Sequence, residues 1–479
     1  MYLRKKTTLG AMWTFIDSFI VKGITIVSSL LIARIIGPDE FGLYGMIVVF
    51  IAIGTSLTDS GLSSSLIRTK EIDHRDLSTV FYTNILMSLV IYLILFLSAP
   101  LIATFFKQEV LASLVKVCCL IFVISSFSAV QMAILTRDMK FKRILQCNLI
   151  ATVIGSGVGI YLAYDGMKVW SLILMYLSTQ FFLTLLLWIQ SNWKPSLIFS
   201  KEKLKQHYSF GYKLMLAGLL DRAFKNVYNV LIGKYFTPSS LGFFERANSL
   251  SSFPSMTAST VIGKVTYPML AKIQDDKKKM SEIYQSLIKL TFFISAPLML
   301  SLSAVAEPLF DFILGEKWLP AAKFFQVLCL GTLFYPVNAF NINVLKVYGR
   351  SDLFLKLEVV KKIVIIILIV VAIQFGIMAL VWSSVLASVI SLFINTYYSG
   401  EMIGYTLKRQ LYYILPLLTV SVVIFYLMHM LGLQIESYHV LLQIGLPMIL
   451  GYILYILVNY ISKNEALFFL VNMLKTQLK

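Results

Sequence analysis

The stretch SFIVKGITIVSSLLIARIIGPDEFGLY (18–44) decides the fold once it is set against GLLDRAFKNVYNVLIGKYFTPSSLGFF (218–244). In the first, Ser18, Lys22, Thr25 and Ser29 recur at i, i+4, i+7 and i+11, the spacing of one helical face. Gly218, Arg222, Lys225 and Asn229 repeat that face at the same positions of the second. Beyond it the two stretches align without gaps, matching Leu31 with Leu231, Ile32 with Ile232, Pro38 with Pro238 and Gly42 with Gly242, and placing Arg34 opposite Lys234. A polar stripe written twice on otherwise apolar helices points to an internally duplicated membrane protein, which is the architecture of a transporter.

Composition sets the class. Hydrophobic residues make up 58% of the 479 and charged residues 14%, against about 25% charged in a soluble domain. The longest gap between apolar segments runs from about Asn192 to His207, too short for a separate catalytic domain. The opening MYLRKK and the run after it look like a signal peptide, but the run continues to Ile36, carries Asp17 and Lys22 and lacks an Ala-x-Ala end, so it reads as a retained span. Cys118, Cys119, Cys147 and Cys329 lie in or beside apolar segments with no metal or disulfide spacing. His74, His207, His429 and His439 are scattered and suggest neither a ligand cluster nor a dyad. No cofactor is expected.

A bilayer-crossing helix needs about 20 apolar residues. The expected fold is an all-α integral membrane protein of 14 transmembrane helices. Six spans lie near 11–36, 41–58, 78–98, 112–135, 145–163 and 169–190, and six more near 209–234, 243–268, 284–305, 321–345, 355–375 and 377–398. Two further spans lie near 411–431 and 440–461. The expected layout is an N-terminal lobe (1–192), a cytoplasmic linker (193–208), a C-terminal lobe (209–400), and helices 13 and 14 with a tail (401–479). Lys and Arg concentrate on alternate loops, as in Arg137, Lys140, Lys142 and Arg143 or Lys272, Lys277, Lys278 and Lys279, which puts both termini in the cytoplasm. The net charge of +18 is then topological and implies no nucleic acid, leaving membrane lipids as partners of the basic loops.

Some charges do not fit an apolar span. A charge at a span centre costs about 2.5–3.5 kcal/mol on the mild insertion scale, so Lys22, Arg222, Lys225 and Arg246 are expected to face water, one another or a ligand. Asp17 lies near Lys22, Asp221 is one turn before Lys225, and Glu245 adjoins Arg246; these acids are candidates for ion pairing or for proton or sodium coupling. Basic groups outnumber acids, more so with Arg34, Lys234 and Lys264 as members of a secondary cavity or gate. With Ser18, Thr25 and Asn229 on the same stripes, the pattern reads as the wall of a wet, cationic, hydroxyl-lined cavity. Arg and Lys complement phosphate oxygens and hydroxyls complement sugars, so an anionic sugar-bearing cargo fits better than the organic cations of a multidrug exporter. The eighth span, with Asn248, Ser249, Ser251, Ser252, Ser255, Thr257, Ser259, Thr260 and Pro254, is polar enough to glue helices and loose enough to bend. No G-x-x-x-x-G-K-[ST] loop for nucleotide phosphates occurs.

The strings ARIIGPDEFGLY (33–44), LTDSGLSSSLIR (57–68), FERANSLSSFP (244–254), LGEKWLPAA (314–322) and YGRSD (348–352) resemble those of polysaccharide transporters, the Wzx-like flippases of the multidrug/oligosaccharidyl-lipid/polysaccharide exporter superfamily, of the colanic and teichuronic acid exporter type. The resemblance implies two six-helix lobes around a central cavity, two extra C-terminal helices and alternating access in a bacterial inner membrane. It implies a cargo of undecaprenyl-pyrophosphate-linked oligosaccharide, with a polysaccharide polymerase and a chain-length regulator as further partners. A membrane polymerase or ligase is the alternative from another class, but the longest outer loop, roughly 306–320, is short for one.

Overall fold

The computed structural model describes the backbone of residues 2–273, 275–468 and 470, and their side chains except those of 2–11, Phe15, Ser18, 256–269, Ala271, Lys272 and Ser351. Among the described residues the elements are helices and the chain forms no strand. It divides into two compact units, Met1–Gly242 and Phe243–Lys479. The first holds α1 (Tyr2–Ile35), α2 (Pro38–Asp59), α3 (Leu62–Arg68), α4 (His74–Phe106), α5 (Val110–Cys118), α6 (Leu120–Ser126), α7 (Ala129–Arg137), α8 (Phe141–Tyr164), α9 (Val169–Gln190), α10 (Lys201–Lys225) and α11 (Val227–Tyr235). Helix α12 (Pro238–Lys272) begins there and continues into the second unit. The second unit goes on with α13 (Lys277–Ala304), α14 (Ala306–Leu314), α15 (Leu319–Thr332), α16 (Tyr335–Val347), α17 (Ser351–Ala372), α18 (Ile377–Ile403), α19 (Leu407–Gln434) and α20 (Val440–Ile461).

Among the described residues ten helices are long and apolar enough to cross a membrane, or eleven if α5–α7, bent by 43°, count as one span. The protein is therefore a multi-pass membrane protein. Of the fourteen expected spans, those near 209–234 and 355–375 fall short, and the one near 243–268 lies largely outside the described side chains. Each carries charge within its helix: Asp221, Arg222 and Lys225 on α10, Glu245 and Arg246 on α12, and Glu358, Lys361 and Lys362 on α17. The span near 209–234 is also broken at Asn226, between α10 and α11.

The division at Gly242 places α10 and α11 in the first unit, whereas the sequence suggested a boundary in the linker 193–208. The reason is local packing. Gly61, at φ +68°, and Gly211 of α10 meet backbone to backbone: a Cβ on Gly61 would lie 2.4 Å from the Gly211 carbonyl oxygen, and one on Gly211 would lie 2.4 Å from that of Ser60. Beside this contact Leu62, Leu66, Leu77, Val80, Phe81, Val130 and Ala133 form a buried cluster, and the Phe81 ring meets Trp188 and Trp193 edge to face. Helices α8 and α9 approach closely because Gly155 and Gly159 leave room for Thr179 and Met175.

In the second unit, α13 contains Pro297, which has no N–H to give the Phe293 carbonyl four residues back. The hydroxyl of Tyr455 on α20 donates to that carbonyl at 3.0 Å. Helix α20 thus repairs a defect in α13, and Tyr455→Phe is expected to cost about 1–3 kcal/mol, the penalty of a buried unmet acceptor, read as a lower melting temperature in detergent. A second buried joint centres on Asn341, whose Oδ1 accepts from Tyr284 at 2.5 Å and Ser399 at 2.7 Å while its Nδ2 donates to Thr396 at 3.0 Å.

Candidate functional site

Helix α10 carries Asp221, Arg222 and Lys225 of the candidate charges. Its exposed Arg222 reaches across to α2, where Nη1 donates to the Ala52 carbonyl at 3.1 Å and to Thr55 Oγ1 at 2.5 Å. The Thr55 hydroxyl in turn donates back to its own helix, to Ile51 at 2.9 Å and Ala52 at 3.0 Å, so its lone pairs point at the guanidinium. Three residues on, Lys225 pairs with Asp221 at 2.7 Å, with side chains 70% and 51% exposed. A pair that wet contributes little to stability, about 0–1 kcal/mol. Both basic groups are therefore presented at a surface rather than sealed in packing.

On α1, Lys22 is exposed and has no ion pair among the described residues. The expected partner, Asp17, is instead held by α8, accepting from Asn148 Nδ2 at 3.1 and 3.3 Å. Thr25 is exposed but its hydroxyl turns back onto the Val21 carbonyl at 2.8 Å. The side chains of Ser18 and Lys264 lie outside the described residues. Asn229 is buried in α11, away from any open face. Lys234 closes the end of α4, donating to the Phe105 carbonyl at 2.6 Å and lying 4.2 Å from that ring's centroid, a C-terminal cap rather than a free cavity charge. Arg34 is exposed and engaged, and Glu245 and Arg246, both on α12, are half-buried and engaged. The structure thus groups Asp221, Arg222 and Lys225 on one helix and leaves Lys22 open on another.

The repeated motif meets its own copy. A Cβ on Gly42 would lie 1.8 Å from the Pro238 carbonyl oxygen, and one on Gly242 would lie 2.0 Å from that of Pro38. The hydroxyl of Ser239 donates to Asp39 beside them. The starts of α2 and α12 therefore cross by a reciprocal contact that only glycine allows at both crossing points. With Gly61 against Gly211 at the other end, α2 is closed by backbone contact at both tips.

A buried polar chain that the scattered histidines did not suggest joins the start of α10 to α3 and α4. His207 Nδ1 is 2.8 Å from Ser65 Oγ and Nε2 is 3.0 Å from Asp76 Oδ1. Asp76 also accepts from Lys203 at 2.9 Å, and this bond holds the Lys203 ammonium above the ordinary lysine range. The atoms are those of a nucleophile relay, but His207 and Asp76 are fully buried and Ser65 nearly so, leaving the hydroxyl no route to a substrate. The Asp73/Asp76 capping box at the start of α4 was the one sequence signal for it. His207→Leu is expected to leave Ser65 and an oxygen of Asp76 unmet, costing about 1–3 kcal/mol of stability in a thermal melt.

Residues 31–323 match the family model described as polysaccharide biosynthesis protein. The chain belongs to that family. The polysaccharide biosynthesis family member is 28% identical to the lipopolysaccharide biosynthesis protein WzxC of Escherichia coli K12 over 78% of its own length and 77% of that protein's. It is 24% identical to the teichuronic acid biosynthesis protein TuaB of Bacillus subtilis 168, over 85% and 84%. It is also 24% identical to the succinoglycan biosynthesis transport protein ExoT of Rhizobium meliloti 1021, over 72% and 70%. Its fold is that of the lipid II flippase MurJ in the inward closed conformation, with a TM-score of 0.75 at 16% identity over 94% of this chain and 99% of that one. An inward-facing MATE family multidrug resistance transporter gives 0.62 at 16% identity, over 79% and 94%. The match agrees with the sequence strings, which resemble those of a polysaccharide biosynthesis family.

Proposed function

We propose that the protein flips an undecaprenyl-pyrophosphate-linked oligosaccharide from the cytoplasmic to the outer leaflet of the bacterial inner membrane by alternating access. In this reading fourteen helices span the bilayer in two six-helix lobes with two added C-terminal helices, and both termini are cytoplasmic. The observation that carries it is Arg222, an exposed guanidinium held on α2 by one carbonyl and one hydroxyl, beside an exposed Lys225. A pyrophosphate offers more and better-charged acceptors than Ala52 and Thr55 do, so it draws the fork away from α2. Lys22 adds a second cation from α1. The glycine contacts at the two tips of α2 act as alternate gates, Gly42 with Gly242 toward the outside and Gly61 with Gly211 toward the cytoplasm.

The test is a strain lacking this gene. Lipid-linked oligosaccharide should accumulate at the cytoplasmic face, surface polymer should vanish, and the wild-type gene should reverse both. Normal surface polymer together with heightened drug sensitivity would replace this reading with a multidrug exporter.

A further inference from the structure

Among the described residues helix α10 is not one of those apolar enough to cross a membrane, and its exposed Lys205, Gln206, Ser209, Lys213, Asp221, Arg222 and Lys225 explain why. On the same helix stand two tyrosines one turn apart, Tyr208 and Tyr212, 41% and 37% exposed, their rings stacked at 6.1 Å between centroids and 24° between planes. The Lys213 ammonium lies 6.0 Å from the Tyr212 centroid. Beside the rings His207 is buried against α3 and α4, and behind them the Arg68 guanidinium sits 4.5 Å from the Phe210 centroid. The ring pair is therefore held outward from a packed turn.

We infer that Tyr208 and Tyr212 form a sugar-stacking subsite for the oligosaccharide of the cargo, an inference that rests on the pyrophosphate reading of Arg222. Tyr208 and Arg222 lie about 40° apart around the helix and about 21 Å apart along it, at 3.6 residues per turn and 1.5 Å per residue. They share one face, separated by the length of several sugar rings. A pyranose presents a C–H face that packs on an aromatic ring and a rim of hydroxyls that needs donors and acceptors. The stacked rings supply the first, and the phenol hydroxyls, Lys205 and Lys213 supply the second. An aromatic pair facing lipid headgroups would need neither this flanking set nor a clamped rear face.

Binding of two probes to the purified full chain tests this: undecaprenyl pyrophosphate, and the lipid-linked oligosaccharide extracted from producing cells. The wild type should bind the glycosylated probe about tenfold more tightly than the bare one, a step of the size one good contact supplies. Tyr208→Leu/Tyr212→Leu should lose that preference while binding bare pyrophosphate as before, and Tyr208→Phe/Tyr212→Phe should keep most of it. If the wild type binds both probes equally, or the leucine variant keeps its preference or loses both ligands, the subsite is overturned while the pyrophosphate site stands. If the wild type binds neither probe, the proposed function itself falls.

Discussion

Export should fall by about 100-fold in the Arg222→Ala/Lys225→Ala variant, with unchanged amounts of protein in the membrane. The size follows from the bonds removed. A hydrogen bond to a charged group contributes about 1.5–3 kcal/mol, and each 1.4 kcal/mol is about tenfold, so two such contacts to a pyrophosphate give about two to four orders of magnitude. Folding should be spared because Arg222 is exposed and the Lys225–Asp221 pair is wet. Arg222→Lys should recover only part of the loss, since an ammonium lacks the fork that grips two phosphate oxygens at once. Thr55→Val isolates the resting contact from cargo binding. It removes the hydroxyl that holds the guanidinium at 2.5 Å but no group that touches phosphate, so it should leave export within a few-fold of wild type. Surface polymer per cell, membrane immunoblot and the cytoplasmic pool of lipid-linked oligosaccharide together read the result. Full export by the double variant would remove Arg222 and Lys225 from the mechanism.

The parts of this architecture that were legible in the sequence are those set by neighbours in the chain. Apolar runs of span length became helices, and the matched prolines of the repeat became helix starts, with Pro38 behind an extended Gly37. The offset of the repeat brought Gly42 and Gly242 to mind as equivalent, and the fold makes them touch. What could not be read were choices among distant partners. Asp17 lies five residues from Lys22 yet bonds Asn148, 131 residues away, because α1 packs on α8 and turns that face toward it. His207 sits in a run of Lys and Gln that reads as solvated linker, and only the docking of α10 on α3 and α4 buries it. The fourth span shows no proline or glycine between Val110 and Arg137, and its breaks after Cys118 and Ser126 come from packing rather than from a local breaker. The site divides in the same way. The stripe on α10 is a local pattern and survives as an exposed row, whereas Lys234 and Asn229 were claimed by helix ends and packing that only the tertiary fold supplies.

The reciprocal glycine contact carries the other large expectation. If Gly42 and Gly242 close the outer side, α2 and α12 must part there once per cycle, and a covalent link across the contact must stop transport without harming the fold. Asp39 and Ser239 flank the crossing and already touch, so Asp39→Cys/Ser239→Cys places two thiols within reach of a short bis-methanethiosulfonate, which joins them through two disulfides with loss of sulfinate. The four native cysteines are all buried and will not compete. Cross-linked protein should lose nearly all export, about tenfold or more below the reduced form, because a gate that cannot open removes one of the two states that alternating access needs. Reductant should restore it, which separates a locked gate from a damaged protein. The same pair of cysteines should form the cross-link less readily when lipid-linked oligosaccharide is present, since cargo passing outward spends time with the contact open. A cross-linked protein that still exports would show that this crossing is a fixed hinge, and the moving gate would then have to lie at Gly61 and Gly211, where the chain already bends through two successive left-handed residues, Ser60 and Gly61.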